Sequence, residues 1–85
     1  MTCYLILTEY KNPERIKSIL NQHFPDGYSM MKALGIWKGK EEDSLSILAA
    51  NVNPDQVQAA ALDIKNANEQ EAVMIIALPC AVDMI

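Results

Sequence analysis

Apolar positions along the chain fall into runs whose spacing alternates between that of strands and that of helices. Residues 2–10, TCYLILTEY, are rich in β-formers and alternate weakly, which predicts a strand buried at its centre. Asn12 and Pro13 then supply a helix cap and a first helical residue, and Glu14 sits near the positive end of the dipole. Ile16, Ile19, Leu20 and Phe24 follow at helical spacing, and Pro25-Asp26-Gly27 ends the helix. Residues 28–37, YSMMKALGIW, read as a second strand, KGKEED as a turn, and residues 44–52, SLSILAANV, as a third strand. The short polar connection containing Gly39 makes the pair a hairpin. Asn53, Pro54 and Gln56 repeat the capping grammar, and Val57, Ala60, Ala61, Ile64 and Ala67 mark one face of a second helix. NEQ breaks that helix, AVMIIAL at 72–78 is a final apolar strand, and Pro79 stops it. The remaining CAVDMI is apolar for a free tail and invites docking on a neighbour.

The order strand, helix, strand, strand, helix, strand describes an α+β, ferredoxin-like βαββαβ sandwich. Two βαβ units, each with an Asn-Pro helix start, give a four-stranded antiparallel sheet with both helices on one face. Residues 1–85 form a single domain on this reading. The second sheet face has no cover from the chain, and leaving Met, Leu and Ile side chains there in water is unfavourable. A chain this short also buries a modest fraction of its surface. Both arguments predict an oligomer, a trimer or dimer that packs sheets together.

Charge narrows the partners. The net charge is -4, and the seven Lys and Arg are scattered rather than gathered into a stripe, which argues against nucleic acid. A small cationic ligand suits the balance better. The apolar start lacks a basic region and a cleavage site, and no run is long enough to span a membrane, so a cytoplasmic protein is expected. Cys3 and Cys80 match no metal spacing and are expected to be buried thiols. A disulfide between them requires the first and last strands to be neighbours, which this fold allows.

Candidate chemistry is sparse. His23, the one histidine, falls near the end of the first helix, where a cation suits the dipole. No serine or cysteine has a plausible His–Asp partner pair, and Gly27, Gly35 and Gly39 do not form a phosphate loop. Met30 and Met31 read as packing residues. What remains is the acidic stretch Glu41-Glu42-Asp43 and the NEQE at 68–71. An acidic hairpin is commonly a solvated turn. Here two features point further: Trp37, the only tryptophan, precedes the turn and offers an aromatic face to a purine or a cation. Ser44 follows Glu42 by two, so on an extended strand both point to one side and can hold an ammonium group together.

Gly35-Ile36-Trp37, Glu42-Asp43-Ser44 and the run Asn66 to Val73 with Glu69-Gln70-Glu71 resemble the small phage-encoded S-adenosylmethionine lyases, formerly described as hydrolases. The resemblance covers most of residues 27–78. It implies a PII-like homotrimer that binds S-adenosylmethionine between subunits and splits it into methylthioadenosine and homoserine lactone, without metal or cofactor. On this resemblance Glu42 anchors the substrate's ammonium, and Trp37, Ser44 and Gln70 contact the substrate. Glu41 replaces Glu42 if the turn is shifted by one. The family also uses a tyrosine on the strand before the turn; Tyr28 is the nearest candidate, although Met31 lies closer to the expected place. The hairpin is far shorter than the signalling loop of true PII proteins, which disfavours PII-type signalling. Two other readings stand beside the lyase: a trimeric module that binds an adenine nucleotide without turnover, and a structural protein whose sheet face only makes an oligomer.

Overall fold

In the computed structural model, which describes residues 2–85, the strand-forming and helix-forming runs build six elements. They are β1 (Thr2–Glu9), α1 (Pro13–His23), β2 (Ser29–Trp37), β3 (Lys40–Ala49), α2 (Pro54–Ala67) and β4 (Met74–Pro79). The strands lie in the order β2-β3-β1-β4 and every neighbouring pair is antiparallel. This is the ferredoxin-like α+β sandwich.

Alternation along the strands sorts side chains onto two faces. Ile6, Leu45, Ile47 and Ala49 point to the helices and join Ile16, Ile19, Leu20, Phe24, Val57, Ala60 and Ile64 in one core. Each fully buried Ile or Leu here contributes about 1.5–3 kcal/mol by leaving water. The helices are tied to each other near the C-terminus of α1. His23 Nε2 lies 2.6 Å from Asp63 Oδ2, and Gln56 Nε2 donates to the His23 carbonyl at 3.1 Å. His23 therefore takes the helix-end place expected of it. Gln56 also accepts from the Asn53 N–H at 2.7 Å, so the capping box of α2 is complete.

The opposite sheet face is bare. Met31, Trp37, Leu48, Met74 and Leu78 all remain exposed on it, from 39% for Leu48 to 50% for Met74. No helix of the described residues is long and apolar enough to cross a membrane.

Five local expectations are corrected. The turn is only Lys38-Gly39, not KGKEED, and β3 begins at Lys40. Both turn residues have positive φ, 51° and 78°, the geometry whose twist matches a two-residue hairpin, so the acidic residues are released into the strand. Asn12 flanks α1 but does not cap it with its side chain: it adopts φ 51°, and its Nδ2 donates to Asn68 Oδ1 at 3.1 Å instead. Ala67 is exposed, because the helix ends there and Asn68 turns inward to 1% exposure. Two strand ends are trimmed, β3 ending at Ala49 and β4 starting at Met74. Finally, the cysteines are not thiols. With β1 and β4 paired, Thr2 opposite Pro79, Cys3 and Cys80 come to a Cα–Cα distance of 6.1 Å and form a disulfide. Such a bond persists in oxidising compartments and is open to reduction in a cytosol.

The bridge closes a sequence separation of 77 residues, and restricting so long a loop in the unfolded chain is worth about 2–4 kcal/mol. Thermal unfolding of the Cys3→Ser/Cys80→Ser double variant, or of the protein in excess dithiothreitol, is therefore expected at a temperature several degrees lower. An unchanged midpoint in both contradicts it.

Candidate functional site

The two-residue turn determines which side chains face one another on β2 and β3. Trp37 pairs with Lys40, Gly35 with Glu42 and Ala33 with Ser44. Glu42 and Ser44 are two apart on β3 and so share the open face, as their spacing predicted. Gly35 leaves a gap between them: a Cβ there would meet Ser44 Cβ and Oγ at 3.3 Å and the Glu42 carbonyl at 3.4 Å. Glycine inside a strand is the sequence signal of close approach, and here the space above it forms the floor of a hollow.

That hollow measures about 520 Å³, within the range of small-molecule sites. Its floor is Leu7, Ala33, Gly35 and Ser46, and Met74 of β4 closes one side. Its charged lining is wholly acidic: Glu9, Glu42 and Glu71, with no lysine or arginine. Among the described residues neither Glu9 nor Glu42 has an ion-pair partner.

Glu71 arrives from a different part of the chain, and a polar lock brings it there. Asn68 Nδ2 donates to the Lys11 carbonyl at 2.8 Å, and Lys11 Nζ returns a bond to the Asn68 carbonyl at 2.8 Å. Gln70 Oε1 accepts from the Thr8 hydroxyl at 2.8 Å and from the Glu9 N–H at 3.3 Å. The connection before β4 is thereby fastened to the end of β1. Glu71 then reaches the hairpin tip, where Lys38 Nζ stands 3.0 Å from its Oε1. The Lys38 ammonium, by hydrogen bond and charge, with the Trp37 side chain adding a weaker bond, holds the Glu71 carboxyl below the usual carboxylate range.

Of the residues expected at the site, Trp37, Glu42 and Ser44 line the hollow together. The other four do not. Glu41 pairs with Ile36 and its position in the alternation turns it to the helix side, so Glu42 is the acid that faces the hollow. Tyr28 also lies on the helix side, packed against the core, its hydroxyl donating to Asn21 Oδ1 at 2.6 Å. Burial raises its phenol above the ordinary value, with the Lys17 charge opposing. Met31 shares the open face but stands outside the lining, opposite Ser46. Gln70 is buried behind the wall, where it positions Glu9 and leaves its own Nε2 without a partner among the described residues. Glu9 and Met74 carry no signal in the sequence that marks them for the site, and Gly35 and Glu71 stand out only as members of motifs. Their convergence depends on strand order, although the lone strand glycine was readable.

No protein-family model matches the chain, and no curated protein sequence matches it. Solved structures do. A phage SAM lyase in its apo state superposes with a TM-score of 0.72 at 16% identity, covering 91% of this chain and 78% of that one. A nitrogen-regulatory PII-like protein, CPII from Thiomonas intermedia, bound to ADP, AMP and bicarbonate, gives 0.70 at 16% identity over 99% and 93%. The divalent cation tolerance protein CutA1 of Thermus thermophilus gives 0.64 at 16% identity over 99% and 88%. At that identity the shared property is the fold.

Because the folded-state pKa of Glu71 is depressed, the Lys38 contact is present above the ordinary carboxylate pKa and is lost as pH falls through the lowered one. In a carbon-detected NMR titration the Glu71 carboxyl is expected to titrate below the ordinary glutamate range, and Lys38→Met to return it toward that range. A native Glu71 midpoint that Lys38→Met leaves unmoved contradicts this.

Proposed function

We propose that the chain is an S-adenosylmethionine lyase, acting as a homotrimer whose subunits meet on the bare sheet face and close the hollow between them. One observation carries this reading: an apolar hollow of ligand size whose charged walls are carboxylates alone. S-adenosylmethionine brings a sulfonium and an α-ammonium. Glu42, beside Ser44 and opposite Gly35, is placed to take the ammonium. The Trp37 ring offers a face to the sulfonium or the adenine. The fold shared with a phage SAM lyase supports the same reading.

The reaction makes small demands on the protein. The substrate's own carboxylate oxygen attacks its γ-carbon; a C–O bond forms, the C–S bond breaks, and the bonding pair stays on sulfur. The products are homoserine lactone, which keeps its ammonium, and neutral methylthioadenosine. No proton moves, so neither a base nor a cofactor is called for, and the chain's lack of a nucleophile–base pair is no obstacle. What the protein supplies is the folded conformation in which oxygen and carbon meet. Orientation of this kind is worth up to about 7–11 kcal/mol in intramolecular models. Attack joins opposite charges into neutral groups, so a cleft from which a neighbouring subunit excludes water favours it. The substrate places this activity in a cytoplasm, that of a bacterial host if the chain is phage-encoded. Neither cysteine lines the hollow, so the site does not draw on the Cys3–Cys80 bond.

A second reading has one observation in its favour, the similarity to a PII-like protein whose structure holds ADP and AMP. On it the chain binds an adenine nucleotide without turnover. The lining opposes this, because nucleotide phosphates would face Glu9, Glu42 and Glu71 with no cation among them.

Purified protein incubated with S-adenosylmethionine is expected to yield methylthioadenosine and homoserine lactone by chromatography. Glu42→Gln is expected to raise KM about 10- to 100-fold, the cost of a lost bond to a charged group, with oligomer and melting temperature preserved. A wild-type protein that forms no product but gains heat stability with ADP overturns the lyase in favour of the binding module.

A further inference from the structure

The hairpin tip carries a cation of its own where a cationic ligand would be held. Lys38 Nζ lies 3.0 Å from Glu71 Oε1 and 5.8 Å from the centroid of the Trp37 ring. Trp37 and Glu71 both line the hollow, while Lys38 does not. A carboxylate beside an aromatic face is an arrangement that recognises quaternary and sulfonium cations. Here the place is taken by an ammonium of the same chain, carried on a flexible stem.

We propose that Lys38 is a resident competitor for the hollow's cationic ligand, displaced from Trp37 and Glu71 when the ligand's positive charge enters and returning when that charge is gone. The inference rests on the lyase reading and deepens it. Two features make the exchange feasible. The side chains of Lys38 and Glu71 are 69% and 64% exposed, and an ion pair so open to solvent is weak and yields easily. A lysine ammonium is also strongly hydrated and regains that hydration when it swings into water, whereas a sulfonium has no N–H to solvate and loses less on leaving it.

Cleavage then reverses the balance. The bonding pair that passes to sulfur removes its charge, so methylthioadenosine has no claim on Glu71. Lys38 returns to the carboxylate and the ring and helps to expel the neutral product. Lys38 thus weakens the hold on substrate and hastens release, and it sets how far the site discriminates a charged sulfur position from a neutral one.

Trp37 is the only tryptophan, so its fluorescence reports binding without turnover. The probes are sinefungin, which carries an amine where the substrate has its sulfonium, and S-adenosylhomocysteine, whose sulfur is neutral. Lys38→Met is expected to tighten sinefungin about two- to five-fold, the range set by an exposed ion pair, and to change S-adenosylhomocysteine less. The gain should shrink with added salt. Glu71→Gln is expected to weaken sinefungin. If Lys38→Met binds sinefungin no better than the native protein, with or without a lower melting temperature, the pair is a strap on the hairpin and the inference fails while the lyase reading survives. If the native protein binds neither probe, the lyase reading falls and takes the inference with it.

Discussion

Register between β2 and β3 is the constraint on which the candidate site depends. Lys38 and Gly39 turn the chain in two residues with left-handed backbone, and that turn pairs Gly35 with Glu42. Slippage by one residue would invert the alternation, because strand side chains have a period of two. Glu42 would then face the helices and Glu41 the hollow. The gap above Gly35, the acid beside it and the indole two residues away are therefore one consequence of a short loop. A longer loop would have left the acids in a mobile tip, each with no fixed neighbour.

The same geometry explains how much was legible beforehand. Elements could be read because they rest on local chemistry: period-two runs for strands, the Asn53–Gln56 capping box, proline at both helix starts. Glu42 and Ser44 could be placed on one side because that needs only a spacing of two. The position of Tyr28 could not be read from the sequence because its face depends on where β2 begins relative to the core; it packs with Phe24 on the helix side, away from the hollow. Gln70 stands behind the wall, where the fold brings the Thr8 hydroxyl within 2.8 Å of it. The polar stretch KEED looked like a turn because β3 at that end leaves the helices behind, where polarity no longer distinguishes strand from loop. The disulfide followed the same rule: chain order separates the cysteines and strand order unites them.

Polar residues at the junction of β1, α1 and α2 do the work of assembly that apolar residues do elsewhere. Asn68 is as buried as a core isoleucine, yet its bonds go to Lys11 and Asn12. Replacing an apolar contact by a fully hydrogen-bonded amide specifies geometry more narrowly than packing does. The benefit falls on the connection that carries Glu71, which must meet the hairpin tip across the hollow. Hydrophobic packing secures the helix layer, whereas a few directed bonds secure the wall of the site.

The link between Cys3 and Cys80 has a topological consequence. The bond closes the segment from Cys3 to Cys80 into a ring. A single proteolytic nick anywhere inside the ring leaves one covalent molecule with new ends, in effect a circular permutant. Tension applied from outside the ring, at Cys3 and Cys80, passes through sulfur and leaves the strands between them unloaded.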